Sequence, residues 1–257
     1  MGILAAALDA QPFRDERGTG AIVFDRARLP QASAAWLDPA HWSDAAEPVS
    51  RGGRGAAWFV SGDFGQAVLR HYRRGGLAAR LSADRYLWLG EARVRSLAEF
   101  RLMSELHAAG LRVPAPLLAG YWRDGLGYRA AILVERVEGA RSFAEWLFQP
   151  ESPAWEAAGL SIAHLHHAGV EHADLNANNL LVDPMGRVWI IDFDRGVRRA
   201  PESGWRHANL RRLARSLAKL SQGGSNDWER GFARLRDAYE HAFAHAAHHL
   251  ARGKDHP

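Results

Sequence analysis

Apolar and polar residues change period several times along this chain, and the changes mark its elements. Residues 56–60 and 66–72 read as strands, joined by the turn formers Ser61-Gly62-Asp63-Phe64-Gly65. Leu97, Phe100, Met103 and Leu106 then recur every three residues, predicting a helix over 96–109 that Gly110 ends. Val113-Pro114-Ala115-Pro116 starts another strand, and Asp124-Gly125 turns a hairpin toward 129–134. A helix is expected over 153–167, capped by Ser152, and an amphipathic one over 209–220. In the latter, Leu210, Leu213, Leu217 and Leu220 form one face, while Arg211, Arg212, Arg215 and Lys219 lie away from it. Between these helices the runs 180–183 and 188–191 form a two-stranded ribbon closed by Pro184-Met185-Gly186. Up to residue 48, four prolines and a Gly18-Thr19-Gly20 turn predict an irregular segment with one short strand at 21–24.

Composition narrows the chemistry. The chain has 257 residues and is 47% hydrophobic, enough for one large core or two small lobes sharing a cleft. It contains no cysteine, which removes disulfides, thiolate metal sites and thiol nucleophiles. Its N-terminus is too short and insufficiently basic for a signal peptide, and no window approaches eighteen uncharged apolar residues, so a cytosolic protein is expected. The formal charge is +4 and the only lysines are Lys219 and Lys254, so the positive charge is nearly all arginine. Such a surface suits phosphates and anionic lipid headgroups. No nucleic-acid-binding motif accompanies it, and no nucleic-acid partner is expected. His241, His245 and His249 recur every four residues, and a solvated His-rich face accounts for them better than a metal site; the same reading covers His164, His166 and His167.

The densest chemistry lies in His172-Ala173-Asp174-Leu175-Asn176-Ala177-Asn178-Asn179 and in Asp192-Phe193-Asp194 after the apolar run. Asn179 follows Asp174 by five residues and Asp192 follows it by eighteen, the intervals of a kinase catalytic loop and metal-binding triplet. A short loop can carry Asp174 to an acceptor hydroxyl and turn Asn179 toward a metal, and the ribbon then delivers Asp192. Each residue singly is an ordinary turn former; the joint spacing is what points to phosphoryl transfer. Ala173 stands where many protein kinases have Arg, Asp194 replaces a Gly, and no Ala-Pro-Glu segment follows, which favours a small-molecule or glycan acceptor.

Upstream, Gly53 and Gly55 match the first two glycines of a phosphate-covering loop, with Trp58 in place of the third; an ordinary glycine turn is the alternative. The strand that normally ends in a phosphate-gripping lysine ends here in Arg70. Arg73 and Arg74 are alternative substitutes. Glu99 stands where a glutamate would orient that cation, but Ser96-Leu97-Ala98-Glu99 is equally a capping box. Glu135 opens 135–139, the expected hinge whose backbone would meet adenine.

The stretch His172 to Asn179, with Trp189-Ile190-Ile191-Asp192-Phe193-Asp194-Arg195-Gly196, resembles the lipopolysaccharide kinases, especially those acting on 3-deoxy-D-manno-octulosonic acid (Kdo). Arg70-His71-Tyr72-Arg73-Arg74-Gly75-Gly76 and Asn209 to Leu217 are similar to that family too, and the likeness spans roughly 51–220. The resemblance implies an α+β, two-lobed protein-kinase-like fold: a small, mainly β N-lobe within 1–134 and a larger helical C-lobe over 135–257. It implies ATP and Mg2+ as cofactors and phosphorylation of the 4-hydroxyl of Kdo on Kdo-lipid A, at the cytoplasmic face of the inner membrane. Asp174 is then the catalytic base, Asn179 and Asp192 hold magnesium, and the arginines of 70–80 and of the 209–220 helix draw the anionic acceptor. A kinase of another hydroxyl, such as a core heptose or an aminoglycoside, and an inactive kinase-fold binding module are the competing readings. The arginine-rich substrate side argues against an aminoglycoside, and retention of Asp174, Asn179 and Asp192 together argues against inactivity.

Overall fold

The computed structural model describes residues 8–49, 57–73, 84–200, 202–221 and 227–252, with backbone alone at Asp44 and 246–252. Two compact units emerge: Met1–Ala108 with Pro114–Arg136, and Ala109–Val113 with Val137–Pro257. Both are mixed α/β, and the first is dominated by an antiparallel sheet.

In the first unit the strands are β1 (Leu8–Asp15), β2 (Gly18–Asp25), β3 (Glu47–Pro48), β4 (Ala57–Gly62), β5 (Gly65–His71) and β6 (Tyr86–Leu87). Helix α1 (Arg95–Ala108) and strands β7 (Pro116–Asp124) and β8 (Gly127–Glu135) complete it. The sheet runs β1-β2-β7-β8-β5-β4-β3, with β6 added on β8. Every residue of β7 from Pro116 to Trp122 is buried, so its nearly unbroken apolar run suits a central strand covered on both faces. Leu97, Phe100, Met103 and Leu106, the predicted stripe of α1, are all buried.

The N-terminal segment is more ordered than its sequence suggests. β1 and β2 form a full hairpin, β2 pairs onward with β7, and Gly18-Thr19-Gly20 lies inside β2 rather than forming the turn. Pro12 misled: a missing N–H is tolerated in a strand with a neighbour on one side only, and β1 is the sheet's edge. No position of β1 is fully buried, so its place is set by pairing rather than by an apolar pattern.

The second unit holds β9 (Arg141–Ser142), α2 (Ala154–His167), β10 (Val170–His172), β11 (Leu180–Val182), β12 (Val188–Ile190), β13 (Gly196–Arg198), α3 (Ser203–Leu220) and α4 (Asp227–Arg252). β12-β11-β9 form one small sheet and β10-β13 another. Pro153 caps α2, and the predicted cap Ser152 still accepts from the Ala154 N–H at 3.3 Å. α2 and α4 meet closely because glycines leave room: a Cβ on Gly159 would sit 2.3 Å from the Leu235 carbonyl oxygen, and one on Gly231 2.2 Å from the Trp155 ring. α3 starts six residues earlier than expected, and Leu220, assigned to its apolar face, is exposed at the last turn. Among the described residues no helix is long and apolar enough to cross a membrane.

Candidate active site

The loop after β10 is built by short-range hydrogen bonds. Asn176 starts a single 3-10 turn, Ala177–Asn179, and its side chain accepts from the Asn178 N–H at 2.9 Å. Asn179 Nδ2 donates to the Asp174 carbonyl at 2.9 Å, which turns the amide oxygen the other way, as a hard-cation ligand requires. The Ile191 N–H donates to the Asn179 carbonyl at 3.0 Å, so the chain entering Asp192 is tied to the residue five positions after Asp174. Asp192 has φ 65°, a left-handed conformation that Asp tolerates better than most side chains and that re-aims its carboxylate just past the strand.

Asp174 itself stands in solvent, its side chain 54% exposed, with Arg212 Nη1 3.5 Å from Oδ1. His172 is buried beneath the loop. Its Nε2–H donates to the Ile191 carbonyl at 2.9 Å and its ring packs edge-on against Phe193. Burial depresses its pKa, only partly opposed by the Ile191 bond and by Asp192 and Asp174, so the ring is neutral and serves as a brace between loop and ribbon. The ribbon turn is fixed by Asp183, whose carboxylate accepts from Arg187 Nε at 2.6 Å, from Trp189 Nε1 at 2.9 Å and from the Met185 and Arg187 N–H groups. Burial pushes this carboxyl up, but those donors outweigh it and the net shift is downward.

Helix α3 grips the loop with residues that sequence reasoning missed. Asn209 Oδ1 accepts from the His172 N–H at 3.1 Å, and Ser216 Oγ accepts from the Ala177 N–H at 3.3 Å. Asn209, Arg212 and Ser216 are spaced three and four apart, so they share one face. That spacing was the available signal, masked by the leucines interleaved with it. Asn209 also reaches His166 Nε2 at 3.3 Å; His166 Nδ1 lies 3.0 Å from the Tyr239 hydroxyl, which accepts from Arg206 Nη1 at 2.9 Å. His166 was expected to be solvated; it is fully buried, and desolvation lowers its pKa to about 3. His164, His241 and His245 are exposed.

In the first unit, Arg70 on β5 and Glu99 on α1 form an ion pair in which one guanidinium nitrogen lies 2.5 Å from both carboxylate oxygens. The Tyr72 hydroxyl donates to the same carboxylate, and the Arg70 guanidinium lies 4.9 Å from the Tyr72 ring centre. Ser96 is no cap: it lies within α1 and donates to the Gly120 carbonyl at 2.9 Å. Of the two readings of Glu99, the structure realises the ion pair and not the capping box. Glu135 ends β8 with its N–H already donated to the Ala115 carbonyl and its carboxylate 3.6 Å from Arg28. Gly53, Gly55 and Arg74, with the basic run up to Arg80, lie outside the described residues. Among the described residues no three His, Asp or Glu side chains converge as a metal cluster. Asn179 and Asp192 offer two oxygen ligands, the usual protein share for magnesium that is completed by phosphates and water.

Comparison with known proteins points the same way. Residues 39–239 match the lipopolysaccharide kinase (Kdo/WaaP) family. A protein of Xanthomonas axonopodis pv. citri called 3-deoxy-D-manno-octulosonic acid kinase is 56% identical over 234 residues, 90% of this chain and 94% of the relative. Proteins with the same name from Xanthomonas oryzae pv. oryzae and Stenotrophomonas maltophilia are 55% and 54% identical, each over 90% of this chain and 94% of their own.

Proposed function

The chain belongs to the lipopolysaccharide kinase (Kdo/WaaP) family, and from that premise we propose that it transfers the γ-phosphoryl group of ATP to the 4-hydroxyl of Kdo in Kdo-lipid A. The observation that carries this reading is the loop in which Asp174 stands exposed while the Asn179 side-chain amide is tied to its carbonyl and the Asn179 carbonyl to the residue before Asp192. On this reading the units act as the two lobes of a protein-kinase-like fold.

Asp174 accepts or orients the proton of the acceptor hydroxyl as the oxygen attacks phosphorus. Arg70, held by Glu99 and Tyr72, presents a guanidinium to phosphate oxygens in place of lysine. Asn179 and Asp192 hold Mg2+, which when bound neutralises charge on the phosphates. The contribution of the protein is chiefly positioning and electrostatics.

Purified protein should move labelled phosphate from ATP to Kdo-lipid A in a magnesium-dependent way, and not to kanamycin or choline. Efficient transfer to either of those with none to Kdo-lipid A would sink the proposal.

A peripheral position on the cytoplasmic face of the inner membrane is part of the same reading. Its support is an edge where Leu87, Leu89 and Leu126 are all largely exposed beside Arg85 and Arg123. Leucines inserted at the headgroup boundary with arginines at phosphate level suit an anionic bilayer. Sedimentation with anionic vesicles should be lost in Leu87→Ser/Leu126→Ser; undiminished binding by that variant would remove this edge as the contact.

A further inference from the structure

We propose that Arg212 is the residue that reads the carboxylate of the acceptor sugar, an inference resting on the reading that the acceptor is an octulosonic acid. Helix α3 turns one side to the catalytic loop, and two of its residues there, Asn209 and Ser216, are committed to backbone N–H groups of His172 and Ala177. Arg212, between them, instead brings its guanidinium to within 3.5 Å of Asp174 Oδ1, and both side chains are about half exposed.

Folding stability does not account for a cation at this place. One long contact between two solvated groups contributes little to folding. A ligand carboxylate accounts for it. Arginine binds a carboxylate through two parallel N–H bonds, a better match than the single contact it makes with Asp174.

The acceptor carries its acid group and its reacting hydroxyl on one sugar ring, so Arg212 and Asp174 together would fix two points of it. When the guanidinium turns to the ligand, the base is released from its resident cation as the hydroxyl arrives. Arg212 would thus select acidic sugars over neutral ones and help to place the hydroxyl. The other partner with suitable chemistry, a phosphate of ATP, is separated from this one by the test.

Steady-state kinetics on the full chain would use Kdo-lipid A and the same glycolipid with its carboxyl reduced to a primary alcohol. Wild type should prefer the acid on the order of 10- to 100-fold in kcat/KM, the worth of a charge-assisted hydrogen bond, carried mainly by the acceptor KM while the KM for ATP is unchanged. Arg212→Ala should lose that preference and treat the two acceptors alike, and Arg212→Lys should keep part of it. Arg230→Ala removes the same charge from α4 and should keep all of it. Melting curves will show whether Arg212→Ala stays folded, with Arg212→Gln as the second neutral variant. Equal losses on both acceptors, or a raised KM for ATP, would assign Arg212 to the base or the phosphates and overturn the inference alone. An unaltered preference in Arg212→Ala would do the same. Absence of transfer to either acceptor by wild type would overturn the functional reading and this inference with it.

Discussion

The two clusters of candidate site residues are assembled by opposite means. In the first unit, Arg70, Tyr72 and Glu99 come from a strand end and a helix and hold one another through side chains, around a carboxylate only 1% exposed. In the second, Asp174, Asn179 and Asp192 are held at the loop's backbone carbonyls, with the Asn179 side-chain amide on the Asp174 carbonyl and the Ile191 N–H on the Asn179 carbonyl, while the carboxylate of Asp174 stands half in water. A buried site made of side chains carries part of the fold's stability, because removing one member strands another away from water. A site anchored at backbone carbonyls can lose an exposed carboxylate that takes no part in those bonds at almost no structural cost. Activity and stability should therefore separate in the second cluster and move together in the first.

The largest effect tests the separation directly. Asp174→Ala should lower turnover by about 10²- to 10⁴-fold, as loss of a positioned general base does, with an unchanged melting temperature and intact magnesium-ATP binding. Asp192→Ala should lower turnover and also weaken magnesium-dependent nucleotide binding in calorimetry, with Asp192→Asn keeping the left-handed backbone at lower cost. Normal turnover in Asp174→Ala would end its assignment as the base, and unchanged metal-nucleotide affinity in Asp192→Ala would end that of the ligand.

In the first cluster Glu99→Ala should cost roughly 3 kcal/mol of stability, the usual scale for breaking a buried ion pair, together with weakened ATP use. Arg70→Lys should retain part of the activity, supplying a point charge without the planar fork. A Glu99→Ala protein as stable as wild type in urea titration would contradict the contrast between the clusters.

The pH dependence sharpens it further, because buried groups away from Asp174 shape the acid limb of stability. His166 has a folded pKa of about 3 against an ordinary 6.5, so the neutral folded form contributes stability above 6.5 that is lost as pH falls toward 3. Asp183 is depressed below 3.8, so its contribution is present above that value and is lost only as pH falls through its lower folded pKa. Denaturant titrations of His166→Gln should therefore show a flatter stability profile between pH 6.5 and 4 than wild type, whereas Asp183→Asn should change the slope only below about pH 4. Identical profiles in all three proteins would refute both attributions.

The smallest effect is expected at the grip of α3. Ser216→Ala removes one hydrogen bond to the loop and should cost about 1 kcal/mol with a few-fold fall in kcat. Asn209→Ala should cost more, since the same oxygen serves the His172 N–H and faces His166.

The sequence by itself determined what local spacing can encode. The loop carrying Asp174 and the ribbon after it span 172–194, and their geometry follows from turn residues and short strands within that window, so the intervals from Asp174 to Asn179 and Asp192 were legible in the order of residues alone. The stripe of α1 and the cap region of α2 were legible for the same reason, since a helix writes its buried face into a period of three to four residues. Tertiary structure alone decided the rest. The β1–β2 hairpin rests on β2 pairing with β7, nearly a hundred residues away in sequence, and the residues of β1 are too little buried to announce it. Whether Glu99 capped a helix or held Arg70 turned on where α1 began, one residue before Ser96, and on what β5 presented to it. His166 joined a buried network because α3 and α4 close over it, and Arg212 came beside Asp174 because α3 is anchored on both sides of it. Local bonds are fixed by neighbours in the chain, but burial and charge pairing are fixed by neighbours in space, and only folding names those.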